Sequence, residues 1–207
     1  MTPKVISESA TEPILLAEVV LNLGLQPDDG NSPPGYVQGP RVLSLITTAR
    51  RACEEELEMS LVAKTLEIAV PTFADCSLRS ISGIELPWGP VRSIVSVNYV
   101  STAGVDTVLA ADQYRFSTYD TTAVLWPAYG ASWPTARNDL DSVRVRYTAG
   151  YPVADSPPQT VPEPIRQAMH LLIAHWFANR DAVDVDTLAE LPQGVCYLLG
   201  KYRSLGV

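Results

Sequence analysis

The chain has 207 residues, with 23 Asp and Glu against 15 Lys and Arg, a formal charge of −8 and a pI near 4.7. At 46% hydrophobic residues it can bury a real core, as one large domain or a core with a subdomain. The acidity argues against a protein that grips phosphate backbones, which needs a net basic surface to displace counterions. Three cysteines, Cys53, Cys76 and Cys196, are odd in number and widely spaced, so they form neither a disulfide framework nor a metal-ligand motif and fit a reducing cytosol.

In chain order, residues 1 to 10 read as frayed, without a basic segment leading into an apolar one, so the chain is expected to be soluble and unexported. Thr11, Glu12 and Pro13 are a helix-start signal ahead of Ile14 to Leu23, and Gly24 ends that helix. Residues 26 to 39 are a turn-rich loop. Asp28, Asp29 and Asn31 hint at calcium, but no later Glu completes an EF-hand ligand set. Pro40 opens a second helix in which Val42, Leu45, Ile46, Ala49, Cys53 and Leu57 recur at three- and four-residue steps. Arg50, Arg51, Glu54, Glu55 and Glu58 are assigned to the opposite, solvated face, with Arg50 and Glu54, and Arg51 and Glu55, one turn apart.

From Lys64 the period changes to two. Lys64 to Val70, Ile81 to Leu86 and Val91 to Val100 read as strands, and a turn at Ser101 to Gly104 makes a hairpin with Val105 to Leu109. Tyr114 to Ser117, Ala123 to Trp126 and Val143 to Tyr147 follow. In the last of these Arg144 and Arg146 alternate with apolar residues, which predicts one buried and one basic face. A proline-rich linker, 151 to 160, leads to a helix opened by Pro162 and Pro164 with Ile165, Ala168, Met169, Leu172, Ile173 and Trp176 on its apolar face. His170 and His175, five apart, point to different faces and cannot share a metal. Asp181, Asp184, Asp186 and Glu190 read as a solvated acidic stretch, and Val195, Leu198, Leu199 and Tyr202 as a short terminal helix carrying Lys201 and Arg203. No stretch approaches the roughly 20 apolar residues of a membrane span.

Helical patterns at the two ends of a chain with a β segment between them predict an α+β fold: a small helical bundle from residues 1 to 60 and 161 to 207, with an antiparallel β subdomain, 61 to 160, inserted into it. No Gly-rich phosphate loop, G-x-S-x-G elbow, H-E-x-x-H or Cys-x-x-Cys occurs, and nothing nominates a serine to act with the two histidines, so no enzyme and no cofactor are expected. Trp88, Trp126, Trp133, Tyr129 and Tyr151 lie beside prolines and glycines. Read as a surface rather than as strand-end packing, they suit a monomeric glycan- or protein-binding module.

The chain resembles the head–tail connector (adaptor) proteins of tailed bacteriophages, in the branch with a β insertion. The resemblance runs through Leu15 to Val19, Leu45 to Glu54, Leu86 to Val91, Val95 to Tyr99, Tyr147 to Tyr151, Val161 to Ala168, Ala174 to Arg180, and Leu198 and Leu199 with Tyr202 and Arg203. It departs in the longer acidic loop at 26 to 39. The resemblance implies a virion protein of the neck, made in the host bacterial cytoplasm. It would form a homo-oligomeric ring, a dodecamer, beneath the portal and extend the DNA exit channel, offering a surface to the tail or a further neck protein. DNA would pass without specific binding, and the terminal segment would contact the portal. A tail completion protein shares size, acidity and lack of chemistry. Expected interface residues are Glu54, Glu55 and Glu58 on the acidic helix face, Arg144 and Arg146 on the basic strand face, and Tyr197, Lys201, Tyr202 and Arg203 near the end.

Overall fold

The computed structural model describes residues 2–25, 39–73, 83–117, 123–151, 161–179 and 192–203. Among these are four α-helices and eight strands, all paired antiparallel, so the α+β class is as expected. The chain divides into two compact units. Ala10–Leu57 and Val153–Val207 form a helical unit, and Met1–Ser9 and Glu58–Pro152 a β unit. Of the expected loop at 26 to 39 and the expected linker at 151 to 160, all but Gly39, which begins the second helix, and Tyr151 lie outside the described residues, as do Cys76 and the acidic stretch from Asp181 to Glu190.

The helical unit holds α1 (Leu16–Asn22), α2 (Gly39–Leu57), α3 (Glu163–Ala178) and α4 (Gln193–Leu199). Helix α1 starts later than its pattern suggested because Leu15 stays extended at φ −78° and ψ 145°. Its end follows the expectation. Gly24 takes φ +64°, letting Leu25 N–H donate to Val20 O at 3.1 Å and Gly24 N–H to Leu21 O at 3.1 Å, the paired bonds of a Schellman turn. Helix α2 buries Val42, Ile46, Ala49, Cys53 and Leu57, and α3 buries Ile165, Ala168, Met169, Leu172 and Ile173, as their periodicities predict. Val195 and Leu199 bring α4 into the same unit.

The β unit contains a five-stranded and a three-stranded sheet. The larger has the order β1 (Lys4–Glu8), β2 (Lys64–Val70), β8 (Val143–Ala149), β4 (Val91–Val100) and β5 (Asp106–Val108); the smaller has β3 (Ile84–Leu86), β7 (Ala123–Pro127) and β6 (Tyr114–Ser117). Both contribute to one core, with Leu66, Ile68, Val97, Val145 and Tyr147 from the larger sheet and Ile84, Leu86 and Leu125 from the smaller. The hairpin at Ser101 to Gly104 forms as predicted, with a shorter second strand. One expectation is corrected: residues 4 to 8 are strand β1, paired to β2, and not a frayed end of the helical part. All five are exposed, so β1 has none of the alternation that marks a half-buried strand, and its partner lies some sixty residues away.

Between β3 and β4 the chain crosses from one sheet to the other through Pro87, Trp88, Gly89 and Pro90, where Trp88 sits at φ 61° and Gly89–Pro90 is cis. Three donors hold this turn. Tyr147 Oη donates to Pro87 O at 2.6 Å, Ser60 N–H to Gly89 O at 2.9 Å and Gly150 N–H to Pro90 O at 2.9 Å. Lys64 Nζ lies 5.9 Å from the centre of the Trp88 ring and 3.3 Å from Glu8 Oε1. Gly150 has φ +93°, and a Cβ there would run into the carbonyl of Val62. Replacing Gly150 by Ala combines left-handed strain with backbone overlap and is expected to cost about 3 kcal/mol or more in urea unfolding; a loss near zero would show that the approach is not required.

Candidate functional site

Among the described residues no group of three or more His, Cys, Asp or Glu is placed to hold a metal ion, and no helix is long and apolar enough to cross a membrane. His170 on α3 is half-buried and its pKa is lowered, chiefly by burial, with Glu18 and Glu163 opposing and Arg166 adding to the shift. His175 accepts at its backbone oxygen from Asn179 Nδ2 at 2.9 Å, closing the end of α3.

Charge organises the helical unit from inside. Arg50 is 3% exposed and pairs through Nε with Glu12 Oε2 at 2.7 Å and through Nη1 with Glu54 Oε2 at 2.9 Å. Thr47 Oγ1 donates to Glu12 Oε1 at 2.8 Å, so the segment leading into α1 is pinned to α2. Arg166 on α3 bridges Glu18 of α1 at 2.7 Å and Glu163 at 3.0 Å. After α4, Arg203 Nη1 lies 3.3 Å from Glu56 Oε1 of α2. Beside this network the Cys53 thiol is pushed up to about 12, by burial first and by Glu54 and Glu56 next.

This geometry corrects the reading of the α2 acidic face. Arg50 and Glu54 were assigned to solvent, but Glu54 is 2% exposed and its carboxylate faces Arg50, so it is not a surface partner. A carboxylate here is tolerable because the buried guanidinium faces it, with the half-buried Glu12 as that guanidinium's second partner. Glu55 and Glu58 are exposed; Glu58 takes φ 51° just after α2.

On the outer face of β8 the arginines alternate with the buried residues as predicted, but each already meets an acid of its own chain. Arg146 donates from Nε and Nη2 to Glu67 Oε2 at 2.9 and 2.7 Å, and Arg144 Nη2 pairs with Asp106 Oδ2. The face is therefore a set of cross-strand ion pairs rather than a basic stripe. Glu54, Glu55 and the terminal residues lie in one unit and Arg144 and Arg146 in the other. Near the end of the chain Tyr197 on α4 is 77% exposed, Lys201 is exposed, Tyr202 half-buried and Arg203 exposed.

The residue pattern gave no sign of the two outer edges of the five-stranded sheet. Strand β1, outermost on one side, exposes Val5 and Ile6, and Val95 is exposed on β4, the strand next to β5 at the other side. Which strands are outermost depends on topology, and local alternation carries no record of it.

No protein-family profile and no curated protein matches the chain. Solved structures do. A chain of the neck of the empty GTA particle, computed with C6 symmetry, superposes with a TM-score of 0.76 at 22% identity, covering 100% of this chain and 97% of that one. The chain shares the fold of a chain in that neck. A chain of the virion of the native gene transfer agent (GTA) particle gives 0.73 at 23% identity, and one of the neck of the native GTA particle computed with C12 symmetry gives 0.69 at 22%, each with 100% and 97% coverage. Because the likeness covers the whole chain, the fold it establishes includes both the helical and the β unit.

Two outcomes follow from the burial pattern. Arg50→Ala removes the guanidinium that faces the buried Glu54 carboxylate and is expected to destabilise by about 3–5 kcal/mol, while Arg146→Ala, at a partly exposed pair, costs less than about 1 kcal/mol; equal losses on chemical denaturation would contradict the assignment. Cys53 forms its thiolate only as pH approaches about 12, so alkylation of the native chain at pH 8 should modify Cys196 and leave Cys53 intact by peptide mass spectrometry. Comparable labelling of both would show that Cys53 is accessible.

Proposed function

We propose that the chain is a structural protein of the neck of a phage or phage-like particle, forming a ring beneath the portal that extends the DNA exit channel and joins the filled head to the tail. The observation that carries this reading is the end-to-end likeness to chains of GTA neck particles, with almost the whole of both chains covered. Necks with C6 and C12 symmetry support a homo-oligomeric ring, and the resemblance to adaptor proteins favours twelve copies. The role is non-enzymatic, since packing and surface complementarity suffice for it.

The chemistry of the chain suits the position. A closed ring needs two different patches on each subunit that fit one another. A net charge of −8 disfavours phosphate ion pairs, so DNA would pass through a ring of such chains without being held. The exposed end of the helical unit, with Tyr197 and Lys201 beside Tyr202 and Arg203, is the surface we assign to the portal. Exposed Glu55 and Glu58 and the paired Arg144 and Arg146 remain candidates for contacts with neighbouring subunits or with the tail or a further neck protein.

The test is electron microscopy of a lysate from the phage genome encoding the chain, with a stop codon early in its gene. DNA-filled or leaking heads beside free, complete tails are expected. Intact, infectious particles would refute the neck assignment.

A further inference from the structure

Building on the ring reading, we propose that neighbouring copies join by continuing one β-sheet, with strand β1 of one copy adding antiparallel to the outer edge of β4 in the next. Both halves of this contact are on the same chain. In the order β1-β2-β8-β4-β5, β1 is the outermost strand on one side, with β2 as its partner. On the other side, β5 covers only the far end of β4. It pairs with Asn98, Tyr99 and Val100, and Leu109 N–H adds one bond to Val97 O at 2.8 Å. From residue 91 to residue 96, β4 is paired to β8 on one side, and among the described residues no strand pairs with its other side.

Strand direction selects the partner. Every pairing in the sheet is antiparallel, so β1, β8 and β5 run one way and β2 and β4 the other. A head-to-tail neighbour that continues the sheet keeps those directions. Its β1 therefore meets β4 antiparallel, whereas against β5 it would be parallel and slightly less stable per residue. The lengths agree as well: five residues of β1 and the six residues 91 to 96 of β4 span about 17 and 20 Å at roughly 3.4 Å per residue.

The middle residues of the two segments are alike. Val5 is 49% and Val95 53% exposed, with Ile6 beside the first and Ile94 beside the second. Val5 is opposite Leu66 and Ile94 opposite Tyr147, so both lie on the core face of the sheet, while Ser7 and Ser93, opposite Thr65 and Thr148, lie on the outer face. Joining the edges places apolar beside apolar and hydroxyl beside hydroxyl. Register shifts occur in both segments, between Val5 and Ser7 and at Val91/Ser93 and Ile94/Ser96. Such bulges bend a strand and increase its twist, which turns successive copies relative to one another as closure into a ring requires.

The test places cysteines at both edges, Val5→Cys with Val95→Cys, in a chain whose Cys76 and Cys196 are serine and whose Cys53 is buried and inert. Within one chain the two positions are three strand spacings apart, about 14 Å, so a bismaleimide of shorter reach links only different copies. Purified particles carrying the double variant are expected to shift most of the chain from monomer into a ladder of dimers and higher multimers, and particles carrying either single variant are not. If the first pair blocks incorporation, Ser7→Cys with Ser93→Cys repeats the test on the outer face. Incorporation of either pair without a ladder overturns the shared sheet and leaves the neck reading standing. Absence of the tagged native chain from particles overturns the neck reading and this inference with it.

Discussion

Tyr147 sits fully inside the β core, where burial raises its pKa above the ordinary phenol range and its hydroxyl must still find an acceptor. It finds Pro87 O, in the turn where the chain leaves the three-stranded sheet and enters the five-stranded one. The same turn accepts from Gly150, just past the end of β8, and from Ser60 ahead of β2. Strand β8, its neighbours β2 and β4 and the crossover are thus held at one place, and the inner faces of both sheets meet over residues that this arrangement aligns. Gly150 is suited to that place because its backbone passes against Val62 in a conformation a side chain would resist.

In the helical unit the corresponding constraint is electrostatic. Arg50 and Glu54 are buried together and the half-buried Glu12 is a third member, which ties the lead-in of α1 to α2 across 38 residues of sequence. Such groups add little net stability compared with well-packed apolar residues, but each requires its partner, so they discriminate against arrangements in which the partner is elsewhere. The arginines of β8 differ because they lie near water. Their pairs with Glu67 and Asp106 cover a sheet face at small energetic cost or gain, and that face stays available for further contacts.

The neck role proposed for the chain would require a subunit that is rigid within itself and unfinished at its margins. The two cores supply the first property. The second is visible in the outer strands of the five-stranded sheet, beyond which no further described strand pairs, and in the exposed Tyr197 and Lys201 of the helical unit. Natural sheets protect open edges with charge, bulges or short strands. Here Lys4 and the bulges limit indiscriminate pairing, while Val5, Ile6 and Val95 are exposed apolar residues of the kind the proposed shared sheet would cover.

Elements whose burial repeats at a local period were legible from residues alone. The stripes of α2 and α3, the alternation of β2 and β8, the stop at Gly24 and the hairpin after β4 were all readable, because each signal is completed within a few neighbouring residues. Much of the candidate site was not. Glu54 occupies a flank of α2 that local spacing assigns to solvent, and only its place beside Arg50 and Glu12 makes it interior. Strand β1 carries no alternation, and only the unsatisfied edge of β2, far along the chain, makes it a strand. The sequence by itself determined the secondary elements apart from β1, the α+β class and an acidic composition unsuited to gripping DNA. Tertiary structure alone decided which charges are buried and which strands end the sheet, because those properties depend on partners that local periodicity cannot encode.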